Sequence, residues 1–258
     1  MKADLHIHTT FSDGLSSPEE IVDIAIERGI DIICITDHRE TEGAIRAMRY
    51  AFDKEILVVP GIEILSKAGD VLGINVKKVI PDGLSVKETF SEIRKQGGIA
   101  VIPHPFDRPF TGFWGGEKLI KDVSPDAIEV FNAGVFFKNS NKKALKFARE
   151  NNFCFTAGSD AHIKDYVGRG LLYSSENISS EKDLIKIIME KRATVLGEPL
   201  GFFETLKNIL HSNVKDIAKY YYSKKKNGKI LKKELLGKQN LFGKIDVGGT
   251  PGVNRYKL

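Results

Sequence analysis

Cysteine is scarce in this chain: Cys34 and Cys154 are the only two among 258 residues. Neither belongs to a CxxC pair, which excludes a thiolate zinc ribbon, an iron–sulfur cluster and a thioredoxin-like redox centre. Both lie inside apolar runs, Ile32-Ile33-Cys34-Ile35 and Phe153-Cys154-Phe155, and read as small buried hydrophobes. Long hydrophobic runs are missing as well. Stretches such as Ile30–Ile35 and Ile56–Val59 stop far short of the roughly 18 residues that a membrane span requires. A strand pattern begins by Ala3, ahead of any charged and apolar leader, so no signal peptide and a cytoplasmic protein are expected. No internal repeat or low-complexity block stands out.

Charge is unevenly placed. The net charge is +5, yet residues 201–258 hold 13 Lys or Arg against 4 Asp or Glu, and the first 200 residues hold 26 basic against 30 acidic groups. The basic character belongs to the tail. There Phe202, Phe203, Leu206, Ile209, Leu210, Ile217 and Tyr221 recur at helical spacing, and Lys224-Lys225-Lys226 follow. The expected division is therefore a body over residues 1–197 and an amphipathic helix with a lysine-rich tail over 198–258.

The body alternates strand and helix signals. Strands are expected at Ala3–His8, Ile32–Thr36, Ile56–Val59, Val71–Val76, Ile99–Ile102, Ala127–Phe131, Phe153–Ala157 and Ala193–Leu196. Several are apolar on both faces, as parallel strands covered by helices are. Helices are expected from Ser17-Pro18-Glu19-Glu20 (an N-cap, a first-position proline and first-turn acids) to Gly29, and over Ser85–Gln96, Asn139–Glu150 and Ser180–Lys191. The pattern predicts an α/β fold, a βα-repeat closed into a barrel.

What the sequence does have is a set of His and acidic residues at strand ends: Asp4-Leu5-His6-Ile7-His8, Thr36-Asp37-His38, Pro60-Gly61-Ile62-Glu63, Pro103-His104-Pro105 and Ser159-Asp160-Ala161-His162. His6 and His8 are two apart on a strand and so share a face, and Asp4 falls on that face deeper in, where it can orient a ligand histidine. Asp160 and His162 repeat the spacing. In a barrel these strand ends meet on one rim. Imidazole with carboxylate and no thiolate suits zinc, manganese or iron. There are more ligands than one ion uses, which predicts two or three divalent ions of the kind that activate water and polarise a phosphoryl oxygen.

These motifs, with Ser12-Asp13-Gly14, resemble in order and spacing the PHP (polymerase and histidinol phosphatase) superfamily. The resemblance implies a distorted seven-stranded (β/α) barrel and a metal-dependent phosphoesterase in which a metal-bridging hydroxide attacks phosphorus. By position it implies that His6, His8, Glu63 and Asp160 hold a first ion. Glu63 and His104 would hold a second, and Asp13, His38 and His162 a third. The strand Ile128-Glu129-Val130-Phe131-Asn132 lacks the histidine that relatives carry there, leaving Glu129, Asn132 or water as the second ion's last ligand.

Asp160, His162 and Arg169 are the catalytic candidates. Arg169, between Gly168 and Gly170, and Arg39 and Arg108 are the guanidinium forks that could meet phosphate oxygens. The expected substrate is a small phosphomonoester or a nucleotide. The segment between Glu63 and His104 is short for the nucleotide-cleaving branch. A histidinol-phosphatase-like enzyme is an alternative. So is a nucleic-acid-binding accessory protein, supported by the lysine-rich tail beside Tyr220-Tyr221-Tyr222. Attachment of the same tail to a membrane surface is a further option.

Overall fold

A computed structural model describes residues 1–107, 113–137 and 139–208, with the backbone of 256–257. Nine strands carry the fold: β1 (Lys2–Ile7), β2 (Ile32–Ile35), β3 (Leu57–Ser66), β4 (Gly69–Ile74), β5 (Ile99–Ile102), β6 (Ala127–Asn132), β7 (Cys154–Gly158), β8 (Gly170–Tyr173) and β9 (Thr194–Gly197). They form one sheet in the order β9-β8-β1-β2-β3-β4-β5-β6-β7, and a two-residue β10 (Tyr256–Lys257) pairs with β9. β1 through β7 curl until the end of β7 meets β1: His8 N–H donates to Ala161 O at 3.0 Å and Asp160 N–H to His6 O at 2.8 Å. The result is the expected barrel, with β8 and β9 carrying the sheet past the seam.

The sheet is mixed rather than uniformly parallel. β3 turns straight back into β4 through a tight hairpin at Ser66↔Gly69, and β4 is antiparallel to both β3 and β5. β8 is antiparallel to β1 and to β9. The reason is local: only Lys67-Ala68 stand between β3 and β4, and a parallel return needs a crossover of a dozen or more residues.

Helices α1 (Pro18–Glu27), α2 (Glu42–Tyr50), α3 (Val86–Lys95), α4 (Gly116–Val123), α5 (Asn139–Glu150) and α6 (Glu181–Met189) accompany the strands. α1 and α3 start at capping boxes, Ser17 with Glu20 and Ser85 with Glu88, in which serine oxygen and glutamate carboxylate each take a free backbone N–H. The strands supply the core. All four residues of β2 and all four of β5 are buried, as is every residue of β6. Residues 202–208 are helical and pack on the barrel, with Leu200, Thr205 and Asn208 buried. The lysine and tyrosine cluster at 220–226 lies outside the described residues, as does Arg108. Among the described residues no helix is long and apolar enough to cross a membrane.

Candidate metal centre

β1 sends His6 to the barrel interior, and His8 follows on the same face just past the strand's end. Both are fully buried. Their Nε2 atoms lie 3.1 Å apart. Glu63 Oε2 is 3.3 Å from the first and 3.2 Å from the second, and Asp160 Oδ1 is 3.5 and 3.3 Å away. Glu63 arrives here because the β2–β3 ladder continues beyond β2 as a parallel bridge between His38 and Glu63, fixed by Glu63 N–H to Asp37 O at 3.2 Å.

A second group gathers around the other oxygen of Glu63. Oε1 is 3.4 Å from Nε2 of His104. A third surrounds Asp13. Its Oδ2 lies 3.1 Å from His162 Nε2 and 3.6 Å from His38 Nε2, and its Oδ1 is 3.6 Å from His8 Nδ1. The rings of His38 and His162 each stack with that of His8, at centroid distances of 4.6 and 4.3 Å. All eight ligands expected from the sequence, His6, His8, Asp13, His38, Glu63, His104, Asp160 and His162, thus converge.

The backbone shows what this convergence costs. His104 and Asp160 sit in the left-handed region, at φ 27° and 54°, where non-glycine residues are uncommon. Gly158 lies under His6 so closely that a Cβ there would come within 2.3 Å of His6 Cβ.

Surrounding carboxylates orient the imidazoles. Glu129 Oε1 is 3.0 Å from His6 Nδ1, while its Oε2 accepts from His104 N–H and from Asn132 Nδ2, both at 2.9 Å. Asn132 also donates to Asp160 Oδ2 at 3.1 Å. Glu129 and Asn132 are therefore engaged behind the ligands. Asp4 Oδ1 accepts from Ser159 N–H and Oδ2 from Gly168 N–H, at 2.9 and 2.7 Å, pinning the β7 end to β1. Asp37 takes Thr9 N–H, Thr9 Oγ and Ser12 Oγ at 2.7, 2.7 and 2.6 Å, which fixes the turn carrying Asp13.

Two residues had no signal in the sequence. Asn208, in the helix after the barrel, accepts from His162 N–H at 3.2 Å and donates to Asp160 O at 3.0 Å. Asp70 on β4 lies with Glu63 and His104 in a group whose ligand atoms are within 4.8 Å of one another. No local motif marks either one, since only the folded chain brings them to the site. Arg169 is brought elsewhere: its guanidinium pairs with Glu198 at 3.3 Å and Glu204 at 2.9 Å. Arg39, next to His38, pairs with Asp82.

The electrostatics fit a cation centre. Burial opposes protonation of His6, but Asp160, Glu129 and Glu63 outweigh it and hold that imidazole well above its ordinary value. Burial likewise opposes His8 and His104, yet their carboxylate neighbours push them up to about 10 and about 9. Against the penalty of burial, His38, His6 and His104 hold Glu63 well below the usual carboxylate range, and His6, His8 and His162 do the same for Asp160. Asp70 moves the other way, pushed up to about 7 by burial and by Glu63. Among the described residues, the buried Nδ1 atoms of His8 and His104 have no hydrogen-bond partner. Imidazole and carboxylate donors facing one another at such range, some unpartnered, match the donor set of a zinc, manganese or iron site.

A PHP domain model matches residues 4–221. The chain belongs to the PHP domain family. This PHP domain is 34% identical to an uncharacterized protein of Methanocaldococcus jannaschii, over 60% of this chain and 97% of that one. It is 29% identical to the 5′-3′ exoribonuclease Rnm of Salmonella typhimurium over 65% of this chain, which spans only 54% of the exoribonuclease. Among solved structures it superposes with a TM-score of 0.64 on a two-domain protein of Bacteroides vulgatus containing a predicted PHP-like metal-dependent phosphoesterase. That match has 24% identity and covers 77% of this chain and 65% of the other.

Proposed function

We propose that this PHP domain is a metal-dependent phosphoesterase acting on a small phosphomonoester or a nucleotide. One observation carries the reading: Nε2 of His6 and of His8, Glu63 Oε2 and Asp160 Oδ1 face one another at 3.1–3.5 Å, with two further donor groups built on Glu63 and on Asp13. His6, His8, Glu63 and Asp160 would hold a first ion, Glu63 and His104 a second, and Asp13, His38 and His162 a third. Bound there, divalent ions would supply Lewis acidity toward phosphoryl oxygens and lower the pKa of water.

The chain's own residues set the geometry. Glu129 takes a proton on His6 Nδ1, so that Nε2 presents its lone pair inward, and Asp160 O does the same for His162 Nδ1 at 3.0 Å. The cluster opens on one side. The side chains of His38 and Asp160 are 31% and 17% exposed, while those of His6 and His8 are closed off, so substrate enters past His38 and Asp160. Asp160 and His162, 17% and 9% exposed beside that opening, would be the groups to exchange a proton with water and with the departing alcohol. Hydrolysis then breaks the P–O bond to that alcohol, which leaves with a proton. Arg169 acts at one remove, by tying Glu198 and Glu204 and so seating the helix that brings Asn208 to the Asp160–His162 turn.

Purified protein loaded with Mn²⁺ or Zn²⁺ is expected to hydrolyse an aryl phosphate or a nucleoside monophosphate. His6→Ala and Asp160→Ala should lose both bound metal and rate. Metal-replete protein inactive on a panel of phosphomonoesters, nucleotides and short oligonucleotides would overturn the reading.

A second reading, action on the end of a nucleic acid, is favoured by the similarity to an exoribonuclease and by the basic surplus of residues 201–258. Its signature is an affinity for RNA that falls steeply with salt.

A further inference from the structure

The β3–β4 hairpin places a further carboxylate, Asp70, beside Glu63 and His104. Ser66 Oγ donates to Gly69 O at 2.6 Å and accepts from Ala68 N–H at 3.2 Å, while Gly69 takes φ 117°. The turn fixes the register Leu65↔Asp70 and Glu63↔Leu72. In such a ladder Asp70 is the diagonal neighbour of Glu63 on the same face of the sheet, the face turned to the barrel interior. Asp70 is paired with Leu65 of β3, and two residues on, at Leu72, the same strand takes up its pairing with β5.

A carboxylate in that position is costly unless something answers its charge. Among the described residues it has no hydrogen-bond or ion-pair partner, and the charges of His104 and His6 only partly offset its burial and the nearby Glu63. Its close neighbours are Glu63, of like charge, and His104, whose side chain is 4% exposed and whose Nδ1 has no partner. The two carboxylates and the imidazole can each offer an atom to a common centre, all within 4.8 Å. Strand β6 has nothing left to give there, because Glu129 is bound to His6, to the His104 N–H and to Asn132. A divalent cation removes the repulsion between Glu63 and Asp70 and satisfies all three groups at once.

We infer that Asp70 is a ligand of the second ion, joining Glu63 and His104, so that β4 completes the site that β6 leaves open. The inference rests on the metal-dependent reading above.

Metal content separates the two. Metal-free protein is loaded with Mn²⁺, desalted and assayed by elemental analysis, and titrated by following free Mn²⁺ by electron paramagnetic resonance. Asp70→Asn is expected to bind one equivalent fewer than the wild type, or to need at least about ten times more Mn²⁺ to fill it. Asp70→His, which restores a ligand, should recover that equivalent. Asp70→Asn removes no hydrogen bond, so its metal-free form should melt no lower than the wild type. In metal-soaked crystals of the wild type, an anomalous peak is expected at bonding distance from Asp70, Glu63 and His104. An Asp70→Asn protein with the wild type's stoichiometry and affinity, or a peak at Glu63 and His104 with Asp70 turned away, overturns this assignment and leaves the phosphoesterase reading standing. A wild type that binds no metal defeats both.

Discussion

Glu129 shows how much of this centre depends on residues behind the ligands. It holds His6 by the side chain and His104 by the backbone, both at about hydrogen-bond distance. Removing such a partner typically costs 10–100-fold in metal affinity. Glu129→Gln is accordingly expected to weaken Mn²⁺ binding by about 10–100-fold with secondary structure unchanged, measured by titration calorimetry and circular dichroism. Protons matter at the same scale. Without metal, His8 and His104 are raised to about 10 and about 9, so their pairing with carboxylates stabilises the fold fully below an imidazole's ordinary ~6.5 and is lost as pH climbs through 9 to 10. The melting temperature of metal-free protein should therefore fall between pH 6.5 and 10. Metal binding must displace the same protons, so calorimetry at pH 7.5 in buffers of different ionisation enthalpy should register proton release from His8 and His104. No net release would contradict the raised values.

Spacing made the shared faces of His6 with His8 and of Asp160 with His162 legible in the sequence, whereas Asp13 reads locally as a turn aspartate and was picked out only by the resemblance to the PHP superfamily. Elements were less legible. β2, β5 and β6 follow from their Ile- and Val-rich runs, β1 and β7 from shorter apolar stretches, and the capping boxes of α1 and α3 from four-residue patterns. The direction of β4 did not follow, since Lys67-Ala68 carries none of the Asn-Gly chemistry that announces a two-residue hairpin. β8 escaped because Gly170-Leu171-Leu172-Tyr173 has only two aliphatic residues and follows Gly168-Arg169, which reads as a loop. Asp70 and Asn208 were invisible for a related reason: their meaning is set by strand pairing and helix docking, not by neighbours in the chain. The packing of β7 against β1 supplies a test at this scale. Gly158→Ala would put a methyl 2.3 Å from His6 Cβ and 2.9 Å from His6 N, where backbone must move. A loss of about 1–3 kcal/mol in stability is expected, together with weaker metal binding. Unchanged melting and metal content would show that the seam is looser than described.

Over the whole molecule, the barrel extends beyond its last strand. Leu200 N–H donates to Ala133 O at 3.0 Å, Arg169 binds Glu204, and Asn208 reaches the Asp160–His162 turn. Truncations meant to examine the basic tail must respect this. Removing residues 224–258 is expected to leave metal content and aryl phosphate hydrolysis intact. Removing everything after residue 200 should lower both, because it takes Asn208 away. If nucleic acid is the substrate, the shorter truncation alone should weaken salt-sensitive RNA binding, read by gel shift.

The seam where β7 meets β1 also sets a timetable. His6 and His8 are made well before Asp160 and His162, with β2 through β7 in between, and Asn208 follows later still. A growing chain holds two adjacent imidazoles but no complete donor set until Asp160 and His162 have followed them. If the centre binds metal as proposed, chains that stop short of the Asp160–His162 turn carry no competent site.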